Sequence, residues 1–226
     1  MRQFSTEHLA ALGVMVAAAG LSVWWARRTE RAIGPMSWAL ALVILAGWIG
    51  EQAADMAEGI WSVRFTLPLQ LTDVVSLTAV VALLRPRVLL VELTYFWALT
   101  ASLQATLTPD LGRTVPSVFY FTYFTYHVGA IVAGCLLVYG RREYPRPGAA
   151  LRVFGLTLAA AGVAGAADLI TGGNYMYLRA KPAHSSLLSV MARWPWYIAE
   201  TAALAAVMLL ALQALTELIR RRDLGR

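Results

Sequence analysis

Charge is what this sequence has least of. Asp, Glu, Lys and Arg make up 14% of its 226 residues, against about a quarter in soluble domains. Too few charges remain to clothe a water-facing surface of that size. Cysteine is nearly missing as well. The single thiol, Cys135, excludes an intrachain disulfide, and its apolar surroundings mark it as an inert core residue. The three histidines, His8, His127 and His184, lie far apart, and none has a second ligand at helical spacing, so no metal pattern is present. There is no Gly-rich phosphate loop, nucleotide fingerprint or soluble-type nucleophile elbow. Low-complexity segments and clear internal repeats are missing too. No cofactor is expected.

What is present is apolar. Hydrophobic residues reach 59% and the mean hydropathy is +0.60. The reading is an all-α polytopic membrane protein, a single transmembrane domain over residues 1–226. Spans are expected near 8–26, 36–55, 67–84, 88–107, 117–139, 150–170 and 196–215. A bilayer core takes ~20 apolar residues per helix, so about seven helices fit. The first run carries its stronger charge after it, in WWARRTER, unlike a signal peptide, and is read as a retained helix.

The net charge of +6 would suggest a nucleic-acid partner in a soluble protein. Here the cations sit between apolar runs, which points to the lipid bilayer and excludes nucleic acid. Arg27, Arg28, Arg31, Arg85, Arg87, Arg141, Arg142, Arg146, Arg152, Arg220, Arg221, Arg222 and Arg226 fall on one side. They outnumber Arg2, Arg64, Arg113, Arg179, Lys181 and Arg193 on the other. The rule that cytoplasmic loops are cation-rich then places the N-terminus outside and the C-terminus inside a plasma membrane.

The segment SVFYFTYFTYHVGAIVAG carries one histidine at membrane depth. On a helix Tyr120, Tyr123 and His127 share a stripe. An ionisable ring there either fixes packing or marks a site. With the orientation above, Glu51, Asp55, Thr72, Asp73, Gln104, Asp168 and Glu200 all fall in the outer half, while the inner half carries almost nothing comparable. That predicts a polar cavity opening outward. Thr72 and His127 are the hydroxyl and the base that nucleophilic catalysis needs, with Asp73 or Asp168 to orient the ring. Gln104 and Tyr123 are candidate oxyanion or substrate contacts by depth. The loop GGNYMYLRAKP, with Asn174, Tyr175, Arg179 and Lys181, reads either as an aromatic belt with anchoring cations or as a lid that grips a lipid phosphate.

These last pieces carry a resemblance. GGNYMYLRAKP, WPWYIAE, ELTYFWALTASLQATLTPDL and LPLQLTD, together spanning about 67–200, resemble the YwaF-like family of bacterial integral membrane proteins. That family is distantly similar to a eukaryotic transmembrane acyltransferase of ether phospholipid remodelling and, through it, to the androgen-induced membrane hydrolases, which use an intramembrane Thr and His. The resemblance implies acyl transfer or hydrolysis on a membrane lipid ester, with His127 as the family's histidine. YwaF-like members often have His and Cys where this chain has Gln70 and Thr72. The eukaryotic Cys aligns with Leu69, one helical turn from Thr72. Either Thr72 takes over from the thiol, or the chemistry is lost here. A non-catalytic reading, a small transporter or ligand-binding membrane protein with the same cavity, or a structural partner subunit, stays open.

Overall fold

The computed structural model describes residues 2–225, and its regular structure is helical throughout. Seven helices follow one another up and down: α1 (Thr6–Arg28), α2 (Ile33–Ala57), α3 (Leu71–Leu84), α4 (Val88–Leu107), α5 (Val118–Gly140), α6 (Ala149–Thr171) and α7 (Trp196–Leu224). Six are long and apolar enough to cross a membrane. The protein is a multi-pass membrane protein with six such candidate spans.

The exception is α3. The apolar run beginning at Leu67 predicts a full span, but the helix starts only at Leu71 and has 14 residues. Pro68 has no N–H and disfavours helix at the residue before it. The Leu69 N–H turns back to the Leu67 carbonyl at 2.7 Å, and Gln70 is extended. At 1.5 Å per residue α3 covers ~21 Å, short of a ~30 Å hydrocarbon core. Thr72 and Asp73 therefore lie in its first turn, rather than one to two turns down.

α5 is the pillar. In its best apolar window 78% of residues are buried inside the protein, against 11% in α1 and α7. It packs on α1, α2, α3 and α4, while α6 and α7 pair with each other beside α4. The crossing with α2 depends on two glycines. A Cβ on Gly129 would sit 2.5 Å from Ile44 Cγ1, and one on Gly47 would sit 2.8 Å from Thr125 Cγ2. Small residues that let backbones approach are what hold helices together in lipid, where apolar side chains gain little by leaving the tails. Outward-facing Leu158, Val163, Leu169 and Ile170 are exposed, as a lipid-facing surface requires.

Two helices change pitch. Ala98–Ser102 in α4 and Leu136–Gly140 in α5 are π-helical turns. Such turns interrupt the helical register and are frequent near functional sites.

Candidate intramembrane site around His127

His127 is 2% exposed, near the middle of α5. Its imidazole is held by its own helix. Tyr123 stacks on it at 4.1 Å between ring centres, and Tyr126 leans on it at 4.2 Å. Nδ1 lies 2.8 Å from the Tyr123 carbonyl. A carbonyl only accepts, so Nδ1 carries the proton and Nε2 is left as the basic nitrogen. Among the described residues no hydrogen bond reaches Nε2.

Three helices bring polar groups to this level. From α2, Trp48 Nε1 donates to Asp73 Oδ1 of α3 at 3.2 Å. One turn on, Glu51 Oε2 accepts from Thr122 Oγ1 of α5 at 2.5 Å. From α3, Ser76 Oγ donates to the Thr72 carbonyl at 2.8 Å and lies 3.5 Å from the carbonyl of Tyr126. Ser76 thus ties the first turn of α3 to the residue beside His127. Thr72 is half-buried, and its own hydroxyl has no hydrogen-bond partner among the described residues. Thr72, Asp73 and Glu51 lie toward one end of the α2–α3–α5 trio and His127 lies deeper along α5, and no hydrogen bond joins Thr72 to His127.

At the neighbouring seam Tyr123 OH donates to the Ala105 carbonyl at 2.8 Å, and Gln104 Nε2 donates to Thr108 Oγ1 at 2.8 Å. These two candidates meet where α4 ends against α5. The loop between α6 and α7 closes over the start of α3. The Met176 N–H donates to Gln70 Oε1 at 2.8 Å, two residues before Thr72. Tyr175 is fully buried, donates to the Val63 carbonyl at 2.8 Å and accepts from the Leu67 N–H at 3.0 Å. Asn174 organises the turn, its Oδ1 taking the N–H groups of Arg179 and Ala180 at 2.9 and 3.0 Å.

The family model for the TMEM164 family matches residues 3–212. The chain belongs to the TMEM164 family. That family is linked to lipid acyl transfer and is related to eukaryotic ether lipid acyltransferases. The TMEM164 match takes in α1 to α6, the covering loop and most of α7, so it includes Thr72 and His127. No curated protein and no solved structure matches the chain.

In this TMEM164 family member the other candidate residues are placed away from His127. Asp168 is buried at the end of α6, where Oδ1 accepts the Tyr175 N–H at 2.6 Å and Oδ2 has no partner among the described residues. Arg179 Nη1 reaches the carbonyls of Asp168 and Gly173, both at 3.3 Å. Lys181 Nζ donates to the Met191 carbonyl at 2.8 Å and lies over the Tyr197 ring. Glu200 Oε2 accepts the Ala192 N–H at 2.8 Å. Each of these holds the loop to itself or to its flanking helices. Among the described residues no carboxylate hydrogen-bonds to the imidazole. The group that orients it is the Tyr123 carbonyl, four residues earlier in the same helix.

The other histidines have separate work. His8 bridges the Phe4 N–H and the Thr106 carbonyl, both at 2.8 Å. His184 lies 2.5 Å from Asp110 Oδ1, and Tyr177 OH donates to Asp110 Oδ2 at 2.9 Å. Burial and the adjacent Asp110 carboxylate push the Tyr177 phenol above its ordinary value.

The expectation that the opposite end is nearly free of polar groups is overturned. Glu92, one turn into α4, is fully buried and paired with Arg146 and Arg152 at 3.0 and 2.9 Å. Asp223 of α7 pairs with Arg27 of α1 at 2.6 Å and also accepts from Tyr144. Sequence spacing hides these pairs, because Glu92 sits 54 and 60 residues from its partners.

Proposed function

We propose that the protein is an intramembrane, lipid-directed acyltransferase or ester hydrolase, with Thr72 as nucleophile and His127 as general base. The observation that carries this reading is the tautomer of His127. With Nδ1–H bound to the Tyr123 carbonyl, Nε2 is a proton acceptor at membrane depth, and the first turn of α3, one turn before the Ser76 that meets Tyr126, supplies the Thr72 hydroxyl, which has no other partner among the described residues. Membership of a family linked to lipid acyl transfer supports the substrate class.

The steps follow from those roles. Thr72 Oγ attacks the ester carbonyl of a membrane lipid while its proton passes to His127 Nε2. The tetrahedral intermediate collapses, the lysolipid oxygen takes that proton and leaves, and the acyl group stays on Thr72. Water or the hydroxyl of a second lysolipid then attacks the acyl-Thr72 ester, again giving its proton to Nε2. The Thr72 proton returns as the new acid or ester departs. Catalytic hydrogen bonds often tighten only when substrate is bound. Gln104 at the end of α4 and Tyr123 on α5 are the candidate oxyanion donors, each of which would leave its present partner, Thr108 or the Ala105 carbonyl, to serve. Asp73 stands beside Thr72 and tunes the local field. The loop from Asn174 to Lys181 is the roof that a headgroup would meet, with Gln70 and Tyr175 holding it down and Glu200 bracing its far side. The orientation with the N-terminus outside would open this site to the outer half of the plasma membrane.

A second reading has its own support. The ion-paired end around Glu92 gives the bundle polar groups at both ends, as a transporter or ligand-binding protein would have. Lipid mass spectrometry on membranes of cells expressing wild type, Thr72→Ala or His127→Ala at matched levels separates the two. The catalytic reading expects a lipid change with wild type alone, since losing a general base costs about 10²–10⁴ in rate. Equal lipid profiles in all three, with each protein folded, would favour the non-catalytic reading.

A further inference from the structure

At the end of the bundle remote from His127, the α5–α6 connection and the last turns of α7 line an open cavity of about 400 Å³. Arg142, Tyr144, Arg146, Pro147, Arg220 and Asp223 line it. We propose that this cavity binds a phosphate group, carried by an anionic phospholipid headgroup or by a soluble phosphate.

The charge count favours an anion. Asp223 is the only carboxylate among the described lining residues, and it is already met by Arg27 at 2.6 Å and by the Tyr144 hydroxyl. Arg142 stands 3.9 Å from it with 62% of its side chain exposed, too far for a hydrogen bond. Arg146 gives Nε and Nη2 to Glu92, both at 3.0 Å, yet half its side chain remains exposed. No carboxylate among the described residues pairs with Arg220. Three arginines therefore line one open cavity with one neutralised acid among them. Planar guanidinium forks match phosphate oxygens in pairs, which is why arginine recurs at phosphate sites.

The framework is built to aim these side chains. Arg142 holds φ +61°, a left-handed backbone that a residue with a Cβ adopts at a cost. The turn is pinned on both sides of it, by Arg141 N–H to the Leu136 carbonyl at 2.8 Å and Glu143 N–H to the Leu137 carbonyl at 3.1 Å. Arg146 is fixed by Glu92 from behind. Two of the wall residues, Arg220 and Asp223, lie beyond the region matched by the family. The site forms where the basic tail meets the α5–α6 connection.

The test uses full-length protein purified in detergent. Dioctanoyl phosphatidic acid, sodium phosphate and dioctanoylglycerol are titrated separately, read by native mass spectrometry for the lipids and by thermal shift for all three. Wild type is compared with Arg142→Gln/Arg220→Gln and with Arg85→Gln/Arg87→Gln, which removes two exposed cations from the same end of the bundle outside the cavity. The expected result is phosphate-dependent binding that the first double variant weakens tenfold or more and the control pair leaves within twofold. Phosphatidic acid binding without sodium phosphate binding identifies a lipid headgroup as the source. Equal binding of both identifies a soluble phosphate group. Binding of neither, equal binding of dioctanoylglycerol, or equal weakening by the control pair would overturn the proposal. Arg142 and Arg220 are exposed, and the unliganded melting temperature of the variant confirms that its loss is not unfolding.

Discussion

At the scale of single residues the candidate site separates chemistry from stability in a way that can be measured. The Thr72 hydroxyl makes no hydrogen bond among the described residues, so replacing it with a methyl group removes no interaction. Thr72→Val is expected to leave the unfolding midpoint in detergent unchanged, within the ±0.5 kcal/mol of a neutral substitution. The same variant should lower lipid turnover by at least a hundredfold if Thr72 is the nucleophile, and Thr72→Ser should keep most of it. Ser76 behaves oppositely. It is fully buried and hydrogen-bonded to the Thr72 carbonyl, so Ser76→Ala should cost about 1 kcal/mol of stability with a smaller effect on turnover. Full activity in Thr72→Val would move the nucleophile elsewhere, and Ser76, against the Tyr126 carbonyl, would be the next hydroxyl to test.

At the scale of helices and loops, what the sequence made legible was hydrophobic length. Apolar runs mark α1, α2, α4, α5, α6 and α7 because each must bury its backbone in hydrocarbon on its own. The start of α3 was not legible as length, since Leu67 and Leu69 continue the apolar run and only Pro68 signals the break. His127 stood out as a lone ionisable ring in an aromatic helix. Its orienting partner did not, because a backbone carbonyl has no sequence signature. The loop residues Asn174, Tyr175, Arg179 and Lys181 were conspicuous by type, but their partners are backbone groups, within the loop and at its ends for Asn174, Arg179 and Lys181, and at Val63 and Leu67 for Tyr175.

Gly129→Ala places a methyl 2.5 Å from Ile44 Cγ1, an overpacking that should cost about 1–3 kcal/mol. Ile44→Ala in the same chain should recover part of that loss, and a cycle of thermal unfolding measurements tests the coupling. Strictly additive losses would mean that α2 and α5 do not meet there. A second prediction concerns Tyr177, whose phenol is held protonated beside Asp110. The folded chain keeps a proton that the unfolded chain releases near pH ~10. The associated stability is present below that value and is lost as pH rises through the higher folded value. Melting curves at pH 9 and pH 11 should therefore diverge more for wild type than for Tyr177→Phe.

At the scale of the whole molecule the two ends differ in kind. One end holds the Glu92 and Asp223 ion pairs and most of the arginines, and the other holds the roof over α3. Around Glu92 the penalty for breaking the pair is asymmetric. Glu92 is fully buried, whereas Arg146 and Arg152 keep 51% and 39% of their side chains exposed. Glu92→Gln frees two arginines that can turn to water. Arg146→Ala/Arg152→Ala instead strands a buried carboxylate, a loss of about 3–5 kcal/mol. The double arginine variant should be the less stable of the two, and the opposite order in SDS or thermal unfolding would mean that Glu92 is solvated.

Orientation is the remaining property of the whole chain, and it decides which leaflet supplies a substrate. Arg85 and Arg87 lie at the end shared with Arg141, Arg142, Arg146 and Arg152, because α3 ends and α4 begins there. Arg113 lies at the other end, where it pairs with Glu58, whose hydrogen bond holds the guanidinium above its usual value. Retention of cations on the cytoplasmic side predicts that the Arg113 end faces outward. Cysteine placed by Arg113→Cys or Arg87→Cys in a Cys135→Ala background gives one reactive thiol at each end. A membrane-impermeant maleimide applied to intact cells should label the first and spare the second until the cells are opened. Labelling of the Arg87→Cys protein alone would invert the molecule, place the Thr72–His127 site in the cytoplasmic half, and turn the arginine-walled cavity to the outside.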